Sequence, residues 1–578
     1  MKNNKNFPAR IQHLSLNLLL IISVFAFFSF IPAKQSGTYN NPVISGFNPD
    51  PSICRVGEDY YLVTSTFEYF PGVPVYHSKD LVHWKMISHV LQRPSQLNLD
   101  STKSTSGIYA PTIRYNKGTF YMITTLVGAK KGQPGGNFVV TAKKPEGPWS
   151  EPHWIAGSPG IDPSLFFDED GKVYYCGNIA PPPAKKVWGK HFDIYVQEID
   201  PKEWKFKGDR TIALNGAEYY GKGTLDGGIE TGVNDYESPH IYKKDGFYYL
   251  MIAHGGTRHN HAVSIWRSKN IFGPYDMNPA NPILTHRAFP LDHPFTSTGH
   301  ADLIQTQKGE WWIFYLAKRP YGGDNHILGR ETFMSPVEWP VGGWPVVNPR
   351  GSVGHGELVH PLPNLKEQKN NQVNSMDPFD DKTLQPQWTF IRTPRSQWWS
   401  LTERKGYLRM RLRPEMISEL VNPSFVGKRQ ESPNCSATVK MDFSPASANE
   451  EAGLVVERDK NYLFRFILGM ENNQPILKLI QRNGMDVAEK IIAKAPMKAK
   501  TSYLKITSSG VLYNFSYSEN GKDWKILKDK VDGHMLGIEQ AGPFTGTFIG
   551  MYASSNGMKS TNQADFDWFE YLDLNDLK

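Results

Sequence analysis

Acidic residues open short apolar stretches that lie far apart in the chain: Asp50 in DPSI, Asp162 in DPSL and Glu237 in ESPHI. Carboxylates that converge from distant segments on one desolvated pocket repel each other, so one keeps its proton while another stays ionised. Cleavage of a glycosidic bond needs that division, an acid for the leaving oxygen and a base for water. A single Asp ahead of Pro or Ser ordinarily caps a turn. Several at equivalent points of a repeat point instead to a site. Ala110 in APTI and Asp302 in ADLI complete a set of heads that reads Asp50, Ala110, Asp162, Glu237 and Asp302.

The elements that must position these heads are internal repeats. An aromatic strand recurs as EDYYLV from Glu58, GTFYMI from Gly118, KVYYCG from Lys172, GFYYLM from Gly246 and EWWIFY from Glu310, at intervals of 54 to 74 residues. Each copy follows one of the heads and usually precedes a third marker, such as HSKDLVHW from His77 or RSKNIFGPY from Arg267. That order describes copies of one β-meander, none of which can bury both faces alone, so the copies pack around an axis. An all-β fold is expected, a five-bladed β-propeller over 37–365. A polar linker over 366–379 leads to an antiparallel β-sandwich over 380–578. In the last part YLRMRLRP puts Leu408, Met410 and Leu412 on one face and three arginines on the other, the period of a half-buried strand. Asn520-Gly521 is a hairpin signal there.

Composition narrows the class. The chain has 578 residues, 15 Trp and 27 Tyr, which suits β-rich architecture or stacking on sugar faces. Net charge is +7, and Lys2, Lys5 and Arg10 supply three of those charges ahead of any acidic residue. The remaining balance is too small to argue for nucleic acid. Residues 1–36 read as an export signal: a basic stretch, the apolar run LSLNLLLIISVFAFFSFI, then small and polar residues. No other segment is apolar enough to cross a bilayer, and a periplasmic or secreted location follows. Cys54, Cys176 and Cys435 are odd in number and widely spaced, so neither a disulfide framework nor a thiolate metal site is expected. Asp168-Glu169-Asp170-Gly171 lacks the spacing of an EF-hand loop, and His259 and His261 lack a third ligand.

On these segments the sequence resembles family 43 of the glycoside hydrolases. The resemblance is carried by NPVISGFNPDPSI, FEYFPGVPVYHSKDLVHW, GIYAPTIRY, IDPSLF, ESPHIYKKDGFYYL, TGHADL and LGRETFMSPVEWP. The last part resembles the concanavalin-like C-terminal domain of the β-xylosidase and α-L-arabinofuranosidase branch. The resemblance implies that Asp50 is the general base, Glu237 the general acid, and Asp162 the residue that orients Glu237 and holds its pKa up. It implies inversion at the anomeric carbon. Arg330 is expected to contact the bound sugar, His300 to sit near the axis, and Phe67 and Tyr109 to wall the pocket. Ser238 after the acid and Tyr109 depart from the commoner Gly and Trp. No cofactor is required and no metal ligand is assigned, with a structural calcium near His300 left open.

The activity expected is exo-acting release of xylose from xylo-oligosaccharides. The alternative is an α-L-arabinofuranosidase acting on arabinoxylan, and a further one is a non-catalytic sugar-binding propeller. A sugar substrate is the only partner expected, with no nucleic acid and no membrane beyond the leader. The oligomeric state is not legible.

Overall fold

The structure, a computed structural model, describes residues 37–100, 102–187, 189, 191–217, 235–368 and 375–575. The leader expected over 1–36 lies outside them.

The repeats form five antiparallel sheets, in which the acidic heads lead into the first strand and the aromatic run is the second. The sheets comprise Ser52–Val56, Asp59–Val63, Gly72–Ser78 and Lys85–Leu91; then Thr112–Asn116, Thr119–Val127, Gly136–Ala142 and His153–Trp154; then Ser164–Phe167, Val173–Ile179, Asp193–Asp200 and Lys205–Leu214. The fourth holds Glu237–Lys244, Phe247–His254, Ala262–Ser268 and Asp276–Met277, and the fifth Thr296–Gln305, Trp311–Lys318, Glu331–Glu338 and Val346–Val347. Each first strand touches the first strand of the next sheet, and the fifth closes on the first, which makes the ring of a five-bladed propeller. The aromatic second strands fill the spaces between blades: Tyr60, Tyr175, Tyr249 and Tyr315 are fully buried.

The axis is held by polar groups that bond from blade to blade. Thr112 Oγ1 donates to the Pro163 carbonyl at 2.9 Å and Ser164 Oγ to the Pro239 carbonyl at 2.5 Å. The Asp302 carboxylate accepts from Ser52 Oγ at 2.7 Å, Tyr242 Oη at 2.6 Å and Arg114 Nη1 at 2.8 Å. The ring is closed from outside by the start of the described chain, where Thr38–Asn40 pairs with Val359–Pro361 and the Asn41 amide bonds both backbone groups of Met334.

The second unit is a sandwich of a larger sheet, from Trp399–Ser400 through Gln563–Asp573 to Lys525–Asp532, and a six-stranded sheet from Ser424–Arg429 to Lys490–Pro496. Leu408 and Met410 face its core while Arg411 is exposed, the alternation expected of that strand. Cys54, Cys176 and Cys435 are buried free thiols. The sandwich lies against the first blade. Phe390–Ile391 pairs with Tyr69–Phe70, Arg392 N donates to the Glu68 carbonyl at 2.8 Å, and Tyr69 stacks on Phe548 with ring centroids 3.9 Å apart.

Candidate active site

Strand register defines the heads of the blades more sharply than the sequence does. Ser52, Thr112, Ser164, His240 and Asp302 pair with Val63, Ile123, Cys176, Met251 and Phe314, so they are equivalent positions along the axis. Two residues earlier in each blade stand Asp50, Ala110, Asp162, Ser238 and His300. The expected set named Glu237 and Asp302 instead of the last two. Glu237 precedes the equivalent position by one residue, and a break of register between Glu237 and His240 accompanies that shift. Asp302 follows it by two and lies fully buried in the axial network. Burial would raise the Asp302 pKa, but Arg114, His240 and the Tyr242 hydroxyl outweigh it and hold the carboxyl at about 2. Asp302 is thus a fixed structural anion.

At this level Asp50, Asp162, Ser238 and His300 all take left-handed backbone, with φ of 57°, 55°, 52° and 46°. Such conformations cost a non-glycine residue about 1–2 kcal/mol each. The repeat uses them to turn the chain at the mouth of the axis. Gly299 has a related role: a Cβ there would lie 2.4 Å from the His261 ring, so only glycine lets that ring pack beside His300. His259 and His261 do not act as a pair. His261 Nδ1 meets the Ser297 carbonyl and His259 Nε2 that of Arg287.

The turned residues meet in one place. Asp50 is 3% exposed; its Oδ1 accepts from Arg330 Nη1 at 2.6 Å and its Oδ2 from Ser65 Oγ at 2.5 Å. His300 Nδ1 is 3.6 Å from Asp50 Oδ1. Burial pushes the His300 pKa down, against the pull of Asp50, so the ring stays neutral at pH 7. Asp162, Glu237 and His300 each bring one polar atom within 4.8 Å of the others. Burial raises the Asp162 carboxyl well above the usual range, and the neighbouring Glu237 and Asp50 charges add to it, against Arg330 and the Ser238 amide. The site therefore sets a carboxylate held by a guanidinium beside two neighbouring carboxyls, Asp162 and Glu237, whose repulsion favours one proton on the pair. Asp162, Glu237 and His300 bring one imidazole and two carboxyls toward a shared point, fewer protein ligands than the six to eight oxygens that calcium takes.

The wall is aromatic. Phe67 and Tyr109 have ring centroids 4.9 Å apart, and the Tyr109 hydroxyl donates to the Thr105 carbonyl at 3.1 Å. Phe544, from the sandwich, completes it. Its ring stacks on Phe67 at 5.7 Å and 12°, and its carbonyl accepts from Arg330 at 3.2 and 3.3 Å. The Arg330 guanidinium lies 5.4 Å from the Phe67 ring centre and 5.6 Å from that of Phe544. Sequence reasoning missed Phe544, which sits in the loop AGPFTG with no periodicity to mark it.

Comparison with known proteins agrees with this architecture. The sequence model of glycosyl hydrolases family 43 matches residues 39–345, and that of the β-xylosidase C-terminal concanavalin A-like domain matches 376–572. The chain is 41% identical to a non-reducing end α-L-arabinofuranosidase of Bacteroides ovatus over 96% of its length and 98% of the relative's. It is 41% identical to a xylosidase/arabinosidase of Butyrivibrio fibrisolvens over 92% of its length and 98% of the relative's. Among solved structures it resembles the xylan β-1,4-xylosidase of Bacillus halodurans with a TM-score of 0.84 and 35% identity, covering 92% of this chain and 99% of that one.

Proposed function

The chain belongs to family 43 of the glycosyl hydrolases, and on that footing we propose that it releases terminal xylose from xylo-oligosaccharides by inverting hydrolysis. In this reading Asp50 is the general base. Arg330 and Ser65 hold its two oxygens and fix the carboxylate for a water on the far side of the anomeric carbon. Glu237 is the general acid that protonates the departing oxygen. Asp162 orients that acid, and repulsion between the two neighbouring carboxyls keeps on the pair the proton that Glu237 delivers. Phe67, Tyr109 and Phe544 stack around the terminal ring.

The observation that carries the reading is the convergence of Asp50, Asp162 and Glu237 from three blades beside the rings of Phe67, Tyr109 and Phe544. Proton NMR of the first product from xylobiose tests the mechanism. Inversion gives α-xylose before mutarotation, whereas β-xylose appearing first overturns it.

A second reading, α-L-arabinofuranoside hydrolysis, is favoured by the arabinofuranosidase relative from Bacteroides ovatus. Turnover of paired nitrophenyl β-xyloside and α-arabinofuranoside decides between them, and a preference for the furanoside reverses the assignment. The apolar run before residue 36 supports export to the periplasm or medium. N-terminal sequencing of the exported chain tests it, and a chain retaining Met1 contradicts cleavage.

A further inference from the structure

A dense buried charge cluster lies where the sandwich meets the first blade, outside the catalytic trio. It comprises Glu68 and Tyr69 from the propeller, Arg392 just after the strand that pairs with Tyr69–Phe70, and Glu457, Arg458 and Asp459 from the six-stranded sheet. Glu68, Arg392, Glu457 and Arg458 are each no more than 2% exposed. Charged groups so deep are costly to bury, and removing one partner strands the rest.

The bonds of this cluster lead to the pocket wall. Arg458 Nη1 donates to Thr545 Oγ1 and Nη2 to the Gly542 carbonyl, so one guanidinium grips both ends of the turn that carries Phe544. Gly542 has a φ of 103°, a conformation open to glycine, and the turn is shaped around that bond. On the propeller side, both Glu68 oxygens accept from the Thr105 amide at 3.1 Å, and the Thr105 carbonyl receives the Tyr109 hydroxyl. Glu68 also follows Phe67 directly in the chain. The Tyr69 hydroxyl donates to Glu457 at 2.8 Å and ties the two halves together. Phe67 thus joins the cluster by one peptide bond, Phe544 through its neighbour Thr545, and Tyr109 through Thr105.

We propose that Arg458 and Glu68 are positioning residues that set the aromatic wall of the sugar site. Arg458 fixes the Phe544 ring against Phe67 through its turn. Glu68 fixes Tyr109 through Thr105. Neither residue touches the reacting atoms, so the effect falls on sugar binding rather than on proton transfer. The inference rests on the reading that these three rings enclose the terminal sugar.

The test is Arg458→Met in the full chain, read by steady-state kinetics on nitrophenyl β-xyloside and by calorimetric titration of xylose. KM and the xylose dissociation constant rise together by about tenfold or more while kcat stays within about threefold, and Arg458→Lys recovers part of the loss. Thr545→Val and Glu68→Gln serve where the Met variant does not fold, and show the same split. Unchanged KM and unchanged xylose affinity overturn the proposal. So does a fall in kcat with KM unchanged and a lowered melting temperature, the mark of a purely structural role. A wild-type chain that cleaves neither glycoside refutes the functional reading alone, because xylose titration still reports the wall.

Discussion

Arg330 and Asp50 meet across 2.6 Å although 280 positions separate them in the chain. Arg330 comes from the last blade and Asp50 from the entry to the first, so their contact exists only once the ring has closed. Arg330 also lies beside the stacked rings of Phe67 and Phe544 and bonds the Phe544 carbonyl. One guanidinium therefore joins the Asp50 carboxylate, the aromatic wall and the second unit.

Arg330→Met removes the donor that fixes Asp50 and leaves that carboxylate buried with Ser65 and His300. The expected loss in kcat is ~10²-fold or more, as for other preorganised donors at reacting centres. Steady-state kinetics on nitrophenyl β-xyloside checks it. A variant within a few-fold of wild type means Asp50 needs no such anchor.

The axial network makes a stability prediction. Arg114→Met strands the Asp302 anion in the closed axis, at a cost of about 3–5 kcal/mol. The double variant with Asp302→Asn recovers much of that loss. Chemical denaturation of the single and double variants measures the coupling, and simple additivity of the two single effects contradicts it.

The same carboxylate gives an acid limb. Its pKa is lowered to about 2 in the folded chain from 3.8, so its contribution is complete above pH 4 and disappears as pH falls toward 2. Asp302→Asn removes that part of the pH dependence, about 2 kcal/mol. Unfolding free energies between pH 2 and 5 decide; a wild-type slope in the variant contradicts it.

The domain interface has the opposite sign. Burial raises the Glu68 carboxyl to about 7, over the opposing pull of its own and the Thr105 backbone amides and of Arg392. Burial, aided by Glu68 and Asp459, raises Glu457 to about 8 against the Tyr69 hydroxyl bond and Arg458. The folded state keeps protons that the unfolded chain releases near pH 4.5, so stability falls as pH rises from there to about 8. Glu457→Gln flattens the upper part of that fall. Melting temperatures from pH 5 to 8.5 test it, and parallel curves for both proteins contradict it.

Much of this was legible in the sequence because the blades repeat their aromatic strand and its turn. DPSI and DPSL brought Asp50 and Asp162 to the right level, since both share one offset from the strand that follows. The offset failed in the last two blades, where the heads were matched by acidity and distance to the aromatic run does not discriminate: Asp50 precedes Glu58 by 8 residues and Asp302 precedes Glu310 by 8, but Asp162 precedes Lys172 by 10. ESPHI places Ser238, and TGHADL places His300, at the position that Asp50 holds in the first blade. The shifted register at Glu237 has no residue signature, because a β-bulge is a property of pairing between strands. Phe544 and Arg458 were hidden for a different reason. Each reaches the site through docking of one unit on the other, and local pattern carries no information about docking.

The central claim is that Glu237 gives the proton to the leaving oxygen while Asp50 takes one from water. The most direct test compares Glu237→Gln and Asp50→Asn on xylobiose and on dinitrophenyl β-xyloside, whose leaving group departs without a proton. On xylobiose both variants should lose ~10³-fold or more, since each lacks one proton-transfer group. On the dinitrophenyl substrate Glu237→Gln should return to within about tenfold of wild type while Asp50→Asn stays inactive. Rescue of Asp50→Asn in place of Glu237→Gln, or of neither variant, would contradict the assignment.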